Sequence, residues 1–360
     1  MTAAVIPHNR PTLGEDEANV LAGIIRSGHV VQGPRVEEFE RAMAAFFGLQ
    51  GGVAVNSGTS ALEVALLALG VGPGDEVIMP SYVCAALYLA TVRTGAEPRV
   101  VDIEPGTYAI SPLMVEKAMS PRAKAIVVPH PFGLPADVPA LQHFRVPIIE
   151  DCAQTLGATL RGQPVGTMGT VAICSFYATK LLCTGEGGMV LSNDRAVLDR
   201  ARALREYDEA AKLDPATFNR KMTDLQAGLG LTQLSRLRSF LERRQALAAV
   251  YAQALDGAGV TLPAVPEGRT HIYYRYVIRV DLAAPSRQGA KRLDTLLRRM
   301  ERRGVQCRRP VFCPLHQYLG LDGFPESDRA YKTAVSVPLY PTLTDEEAAR
   351  VARTLCEELE

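Results

Sequence analysis

The 360-residue chain is 47% hydrophobic and 22% charged, the make-up of a globular protein long enough for two domains. Its 39 Lys plus Arg balance 39 Asp plus Glu, so bulk charge exerts no pull towards nucleic acid or a membrane surface. No apolar run nears the roughly 18 residues of a membrane span, and the opening MTAAVIPHNRP lacks the charged-then-apolar order of an export leader. The expectation is a cytoplasmic protein. Its seven cysteines (Cys84, Cys152, Cys174, Cys183, Cys307, Cys313 and Cys356) are scattered, several of them in apolar runs, and read as reduced core residues. Cys307, Cys313 and His316 lack the CxxC pairing of a structural zinc site, so no metal is expected.

Short apolar, β-branched runs predict strands over residues 52–55, 76–79, 98–102, 125–129, 147–150, 170–176 and 188–192. Helix-period segments fall between them at 59–69, 85–93, 111–119 and 138–144. This alternation predicts an α/β fold with a mostly parallel sheet between helices, and a ligand site beyond the carboxyl ends of the strands. Residues 222–254 carry three- and four-residue apolar spacing and predict one long helix. After it come a strand-like 271–280, a helical 291–303, a short strand at 335–338 and a terminal helix from Asp345, together a smaller α+β unit. The expected division is a large cofactor-binding domain over residues 1–240 and a small C-terminal domain over 241–360. The arginine-rich LRRMERRGVQCRRP reads as a solvated helix face, with cations favoured near the helix C-terminus and Gly304 as its stop.

Four features fall at predicted strand ends or helix starts. Asn56-Ser57-Gly58-Thr59-Ser60 opens a helix, where free backbone N–H groups make a phosphate site, although Ser and Thr are also ordinary caps. Asp151 ends a buried strand and is either a helix cap or the partner of a positive charge in a cleft. Tyr82, in Pro80-Ser81-Tyr82, is either core or a ring lying flat against a planar ligand. Lys180 sits between the strand ending near Ser175 and the turn Thr184-Gly185-Glu186-Gly187-Gly188. Other lysines, such as Lys117, Lys124 and Lys332, occupy polar or helical surface contexts, so Lys180 is the one set in a pocket-like context. A phosphate cradle, a stacking ring, a carboxylate for a ring nitrogen and an amine for a carbonyl together describe pyridoxal 5'-phosphate bound as a Schiff base.

The stretches GPRVEEFERAMAAFFG, NSGTSALEVALLALGVGPGDEVIMPSY, VVPHPFGLPADVPAL, EDCAQTLGA, GTMGTVAICSFYATKLLCTGEGGMVLSND, NRKMTDLQAGLGLTQL and SVPLYPTLTDEE resemble the DegT/StrS family of pyridoxal-phosphate sugar aminotransferases, a branch of fold type I. The resemblance covers nearly the whole chain. It implies that Lys180 is the Schiff-base lysine, that Asp151 contacts the pyridine nitrogen and that Gln154 contacts the ring hydroxyl. It further implies phosphate binding by Gly58, Thr59 and Ser175, stacking by Tyr82, and a homodimer in which Asn219 reaches the partner's phosphate. The implied reaction moves an amine, with glutamate as the expected donor, to a keto-sugar that is nucleotide-linked or ulosonate-type, in polysaccharide or natural-product synthesis. The alternatives are a sugar dehydratase or lyase of the same fold, in which histidine replaces the lysine, and a non-catalytic sensor homologue. His29, Tyr88, Tyr207, His271 and His316 are candidate substrate-side residues, each with a structural alternative. Two loops depart from the family pattern: Asn219-Arg220-Lys221-Met222 stands for Asn-Tyr-Arg-Met, and an acidic Glu206/Asp208/Glu209 cluster replaces a basic or His-Gly pair.

Overall fold

The computed structural model describes residues 4–207, 214–280 and 288–359. The strands of the first half are β1 (Gly51–Val55), β2 (Glu76–Pro80), β3 (Glu97–Val101), β4 (Ala123–Pro129) and β5 (Ile148–Asp151). A short hairpin, β6 (Thr159–Leu160) and β7 (Gln163–Pro164), precedes β8 (Val171–Ser175) and β9 (Gly188–Ser192). All but the hairpin join one seven-stranded sheet in the order β1-β9-β8-β5-β4-β2-β3. β3, β2, β4, β5 and β8 run parallel, and β9 is antiparallel to both of its neighbours. β2, β5 and β9 are buried along their whole length, as expected of strands covered on both faces.

The helices of this half are α1 (Glu15–Ser27), α2 (Pro34–Phe47), α3 (Gly58–Ala68), α4 (Ala86–Arg93), α5 (Pro112–Ala118) and α6 (Arg195–Arg205). Because side chains alternate along a strand, each central strand feeds two cores. Ile126, Val128, Ile148, Ala172 and Cys174 join one core with Phe39, Met43 and Phe47 of α2. Ala125, Val127, Ile149, Val171 and Ile173 join the other with Leu62, Val64 and Ala65 of α3. The predicted helix over 138–144 is a 3-10 turn, Pro139–Phe144, in which Pro139 lacks an amide donor and Arg145 turns left-handed at φ 57°.

The long helix α7 (Asp224–Ala254) starts two residues later than predicted. Thr223 and Gln226 form a reciprocal cap that sets its start: Gln226 N–H donates to Thr223 Oγ1 at 3.3 Å, and Thr223 N–H to Gln226 Oε1 at 2.9 Å. Residue 240 lies inside α7: Leu237 packs in the α2-side core, whereas Leu247, Ala248 and Tyr251 join a C-terminal core. That core surrounds the antiparallel sheet β10 (Val260–Thr261), β11 (Tyr276–Val280) and β12 (Ala334–Val337). α8 (Gln288–Arg302), α9 (Leu315–Leu319), α10 (Pro325–Thr333) and α11 (Asp345–Leu359) complete the chain. The strand predicted over 271–280 pairs only from Tyr276. Residues 272 and 275 instead donate to the carbonyls of Gly133 (3.0 Å) and Phe132 (3.2 Å), which draws this segment towards the carboxyl edge of the large sheet. Among the described residues no helix is long and apolar enough to cross a membrane.

Candidate active site

β1, β8 and β5 end on one edge of the sheet, and their odd-numbered side chains face the α3 side. Val55 and Ser175 both register with Gly188, the first residue of β9. A Cβ at 188 would stand 2.3 Å from the Ser57 carbonyl oxygen, so only glycine lets β9 begin beside the turn into α3. A cavity of about 270 Å³ opens there, lined by Ser57, Gly58, Thr59, Asp151, Gln154, Ser175 and Lys180. Seven residues from distant parts of the chain therefore share one wall.

Ser57 caps α3 by accepting the Ser60 N–H at 3.1 Å. The Gly58 and Thr59 N–H groups have no acceptor among the described residues and stand at the positive end of the helix dipole. A Cβ on Gly58 would lie 2.6 Å from Ser175 Cβ, so glycine keeps the cradle open between the helix start and the end of β8. Asp151 is 9% exposed, and one of its oxygens accepts the Ala153 N–H at 3.0 Å. Burial pushes its carboxyl up, against smaller opposing effects from that N–H, Lys180 and His130. Gln154 accepts the Phe132 N–H at 2.9 Å, and its own amide nitrogen has no acceptor among the described residues. Lys180 is half-buried, its Nζ 5.3 Å from the centroid of the Tyr274 ring, and no described carboxylate pairs with it.

These donors and acceptors fit pyridoxal phosphate. Free helix-start amides beside two serine hydroxyls suit a phosphate. A buried, under-bonded carboxylate suits a protonated ring nitrogen, and an unpaired amine suits an aldehyde.

Other expected site residues lie elsewhere. Tyr82 is not in the cavity wall. It is 1% exposed, stacked 5.8 Å from Tyr108 and edge-on to Phe132 at 6.4 Å, and its hydroxyl has no partner among the described residues. Cys84 in the loop and Ala86 at the start of α4 line the cavity instead. The Cys84 side chain is solvent-exposed at the mouth of the cavity. Asn219 is exposed outside its own chain's cavity and accepts the Lys221 N–H at 3.3 Å. None of the five substrate-side candidates lines the cavity. His29 and Tyr207 are exposed, and Tyr88 packs on the α3-side core. His271 accepts the Tyr273 N–H and stacks on that ring at 4.0 Å, with burial pushing its pKa down to about 3. His316 is buried between Ser81 (2.7 Å) and Asp328 (3.2 Å).

The two departing loops have different outcomes. Arg220 turns inward to Glu63 at 2.8 Å and to the Leu204 carbonyl, a structural pair rather than a substrate contact. Asp208 and Glu209 of the acidic cluster lie outside the described residues. The arginine-rich stretch also divides. Arg298, Arg299, Arg302 and Arg303 are exposed ahead of Gly304, as expected, but Arg308 and Arg309 join Arg275, Phe312, Tyr318 and Tyr331 around a second cavity of about 650 Å³. Cys84, Tyr177 and Glu186 line the cavity and Tyr274 packs on Lys180, although none of the four is among the expected site residues. Tyr177 and Glu186 were within reach, since they fall between Ser175 and Gly188, and Cys84 stands two residues beyond Tyr82. Tyr274 sits nearly a hundred residues from Lys180, with no local signal.

A mostly parallel sheet whose carboxyl edge carries open helix-start amides, a buried carboxylate and a lysine is the architecture of a fold-type I aminotransferase. The profile of the DegT/DnrJ/EryC1/StrS aminotransferase family matches residues 11–356, and the chain belongs to this family. It is similar to the dTDP-3-amino-3,4,6-trideoxy-alpha-D-glucose transaminase of Streptomyces venezuelae, at 34% identity over 92% of this chain and 89% of that protein. Its fold matches the aminotransferase TlmJ from Streptoalloteichus hindustanus with a TM-score of 0.90, at 32% identity and 98% coverage of both chains. It also matches Spr1654 from Streptococcus pneumoniae, solved in its PLP-form, with a TM-score of 0.91, at 26% identity over 99% of this chain and 100% of that one.

Proposed function

We propose that this chain is a pyridoxal-phosphate-dependent sugar aminotransferase that takes an amine from glutamate and delivers it to an anionic keto-sugar, nucleotide-linked or ulosonate-type, in the cytoplasm. The observation that carries the reading is the meeting of Lys180, Asp151 and the open amides of Gly58 and Thr59 in one cavity. The Gly58 and Thr59 N–H groups, with Ser57 and Ser175, would bind the phosphate. Asp151 would hold the ring nitrogen's proton, and Gln154 would meet the ring hydroxyl. Pyridoxal phosphate, when bound, supplies an electron-withdrawing ring that accepts the electron pair left as the substrate's α-carbon loses its proton. Lys180 Nζ would take that proton and return it to the carbon on the far side of the substrate's nitrogen, a general base and acid in turn. A lysine at 180 favours amine transfer over the dehydratase alternative, because the amine can reclaim the cofactor and release product.

The acceptor's negative charge would meet Arg275 and Arg308 at the second cavity, whose wall also holds Asp294 paired with Arg309. The proposal includes a homodimer with shared sites, in which exposed Asn219 reaches the partner's phosphate; it also keeps the division of the chain near residue 240. The test is spectroscopic. Purified protein should be yellow, and L-glutamate should convert its cofactor to pyridoxamine phosphate with release of 2-oxoglutarate. Lys180→Ala should abolish the visible band of the lysine-bound cofactor and cut transfer by about 10³-fold or more. An unchanged band in that variant overturns the assignment.

A further inference from the structure

Tyr274 is buried at 2% exposure and carries two cations on its ring: Lys180 Nζ at 5.3 Å from the centroid and the Arg275 guanidinium at 5.4 Å. Its hydroxyl meets Thr179 Oγ1 at 3.5 Å, on the residue next to Lys180. The ring is fixed by backbone on both sides. Ile272 and Arg275 donate to the Gly133 and Phe132 carbonyls, and a Cβ on Gly133 would stand 2.7 Å from the Tyr274 amide. Arg244 of α7 holds the Tyr274 carbonyl at 3.1 Å. Such a ring, rigid and flanked by cations, attracts both through its electron-rich face.

We infer that Tyr274 is a positioning residue for Lys180: its ring seats the lysine ammonium at the cavity wall, and the charge state of its hydroxyl governs how readily that ammonium gives up its proton. This rests on the proposed role of Lys180. The charged groups facing Tyr274 are Lys180, Arg275 and Arg244, all cationic, while Asp151, Cys84 and Glu186 share the cavity with Lys180. Burial alone would raise the phenol, but Lys180 and Arg275 outweigh it and bring its pKa down to about 8. Below that value the ring is neutral and only its face holds the ammonium. Above it, a phenolate would hold the proton on Lys180 more tightly.

The test needs no turnover. Tyr274→Phe keeps the ring and removes the hydroxyl. In cofactor-free protein, ultraviolet titration should find one phenol ionising near pH 8 that is absent from Tyr274→Phe. Arg275→Gln should move that ionisation upward. Acylation of Lys180, followed by peptide mass spectrometry at pH 8.5, should run about threefold faster in Tyr274→Phe than in the parent, because the anionic neighbour is gone. Lysines remote from the cavity serve as internal controls. In the holoenzyme, the alkaline limb of the glutamate half-reaction should shift in Tyr274→Phe with the KM for glutamate within about twofold of the parent. Equal Lys180 labelling in the two proteins, or no phenol titrating near pH 8, overturns the inference. Failure of the glutamate half-reaction in the parent protein would instead overturn the aminotransferase reading, leaving the labelling result to stand by itself.

Discussion

Glu150 and Asp151 are adjacent carboxylates on β5, and they have opposite surroundings. Glu150 points to the α2-side core, fully buried, and accepts four donors: Gly166 N–H (2.8 Å), Met168 N–H (2.7 Å), Gly169 N–H (2.5 Å) and His130 Nε2 (3.1 Å). His130 Nδ1 accepts the Ala136 N–H at 3.0 Å, so its proton must be on Nε2, aimed at Glu150. Burial would raise Glu150, but the bonds from His130 and the glycine amides win and hold it below the ordinary carboxylate range. Asp151 points the other way, accepts one described N–H, and is pushed up by burial. A carboxylate with every lone pair answered is structural; one left open over a cavity is available to a ligand.

The comparison can be broken from either side. The largest effect is expected at Asp151. Asp151→Asn should lower kcat/KM for amine transfer by about 10³-fold, roughly 4 kcal/mol, while the thermal midpoint stays within about 2 °C of the parent because one modest bond is exchanged for another. A large loss of stability with retained transfer would reverse the roles assigned to the two residues.

Glu150→Gln should do the converse. Its amide would set an N–H group among four donors, and stability in urea should fall by about 3 kcal/mol. Transfer at low temperature should stay within about threefold of the parent.

The pH dependence sharpens the contrast. Glu150 is depressed on folding, so its contribution is present above the unfolded carboxyl value of about 4.3 and is lost as pH falls through its folded value. Asp151 is raised, so its contribution is present below the unfolded value and fades as pH rises through the folded one. Glu150→Gln should therefore flatten the acid limb of stability, and Asp151→Asn should remove a loss on its neutral side; chemical denaturation at pH 3.5 to 7 reads both.

The smallest effect concerns the cradle alone. Gly58→Ala should weaken pyridoxal phosphate binding by about tenfold in an absorbance titration, since the new methyl meets Ser175 Cβ at 2.6 Å. Binding unchanged in that variant would mean that the phosphate does not sit between α3 and β8.

Much of the large sheet was legible from apolar runs bounded by turn residues: β9 has the predicted limits, and the other central strands differ by one or two residues at their ends. The helix-start turn at Ser57–Thr59, Asp151 and Lys180 were legible as neighbours of one cavity, because each is a local feature beside a strand end or helix start. Tyr82 was misplaced for a local reason. Tyr82 has the parity of Ile78, which faces away from the α3 side, and it packs with Tyr108 and Phe132, while Cys84 beyond it faces the cavity. The strand expected over 271–275 failed because carbonyls of the Phe132–Gly133 turn, 139 residues earlier for the Gly133–Ile272 bond, capture its amides.

The sequence by itself determined the family, the sheet-and-helix order and most of the residues that meet in the cavity, because these depend on periodicity and on motifs a few residues long. It did not distinguish Glu150 from Asp151 as structural and open, bury Arg220, or bring Tyr274 to Lys180. Those outcomes depend on which donors and cations arrive through space, and only the packed tertiary structure decides that.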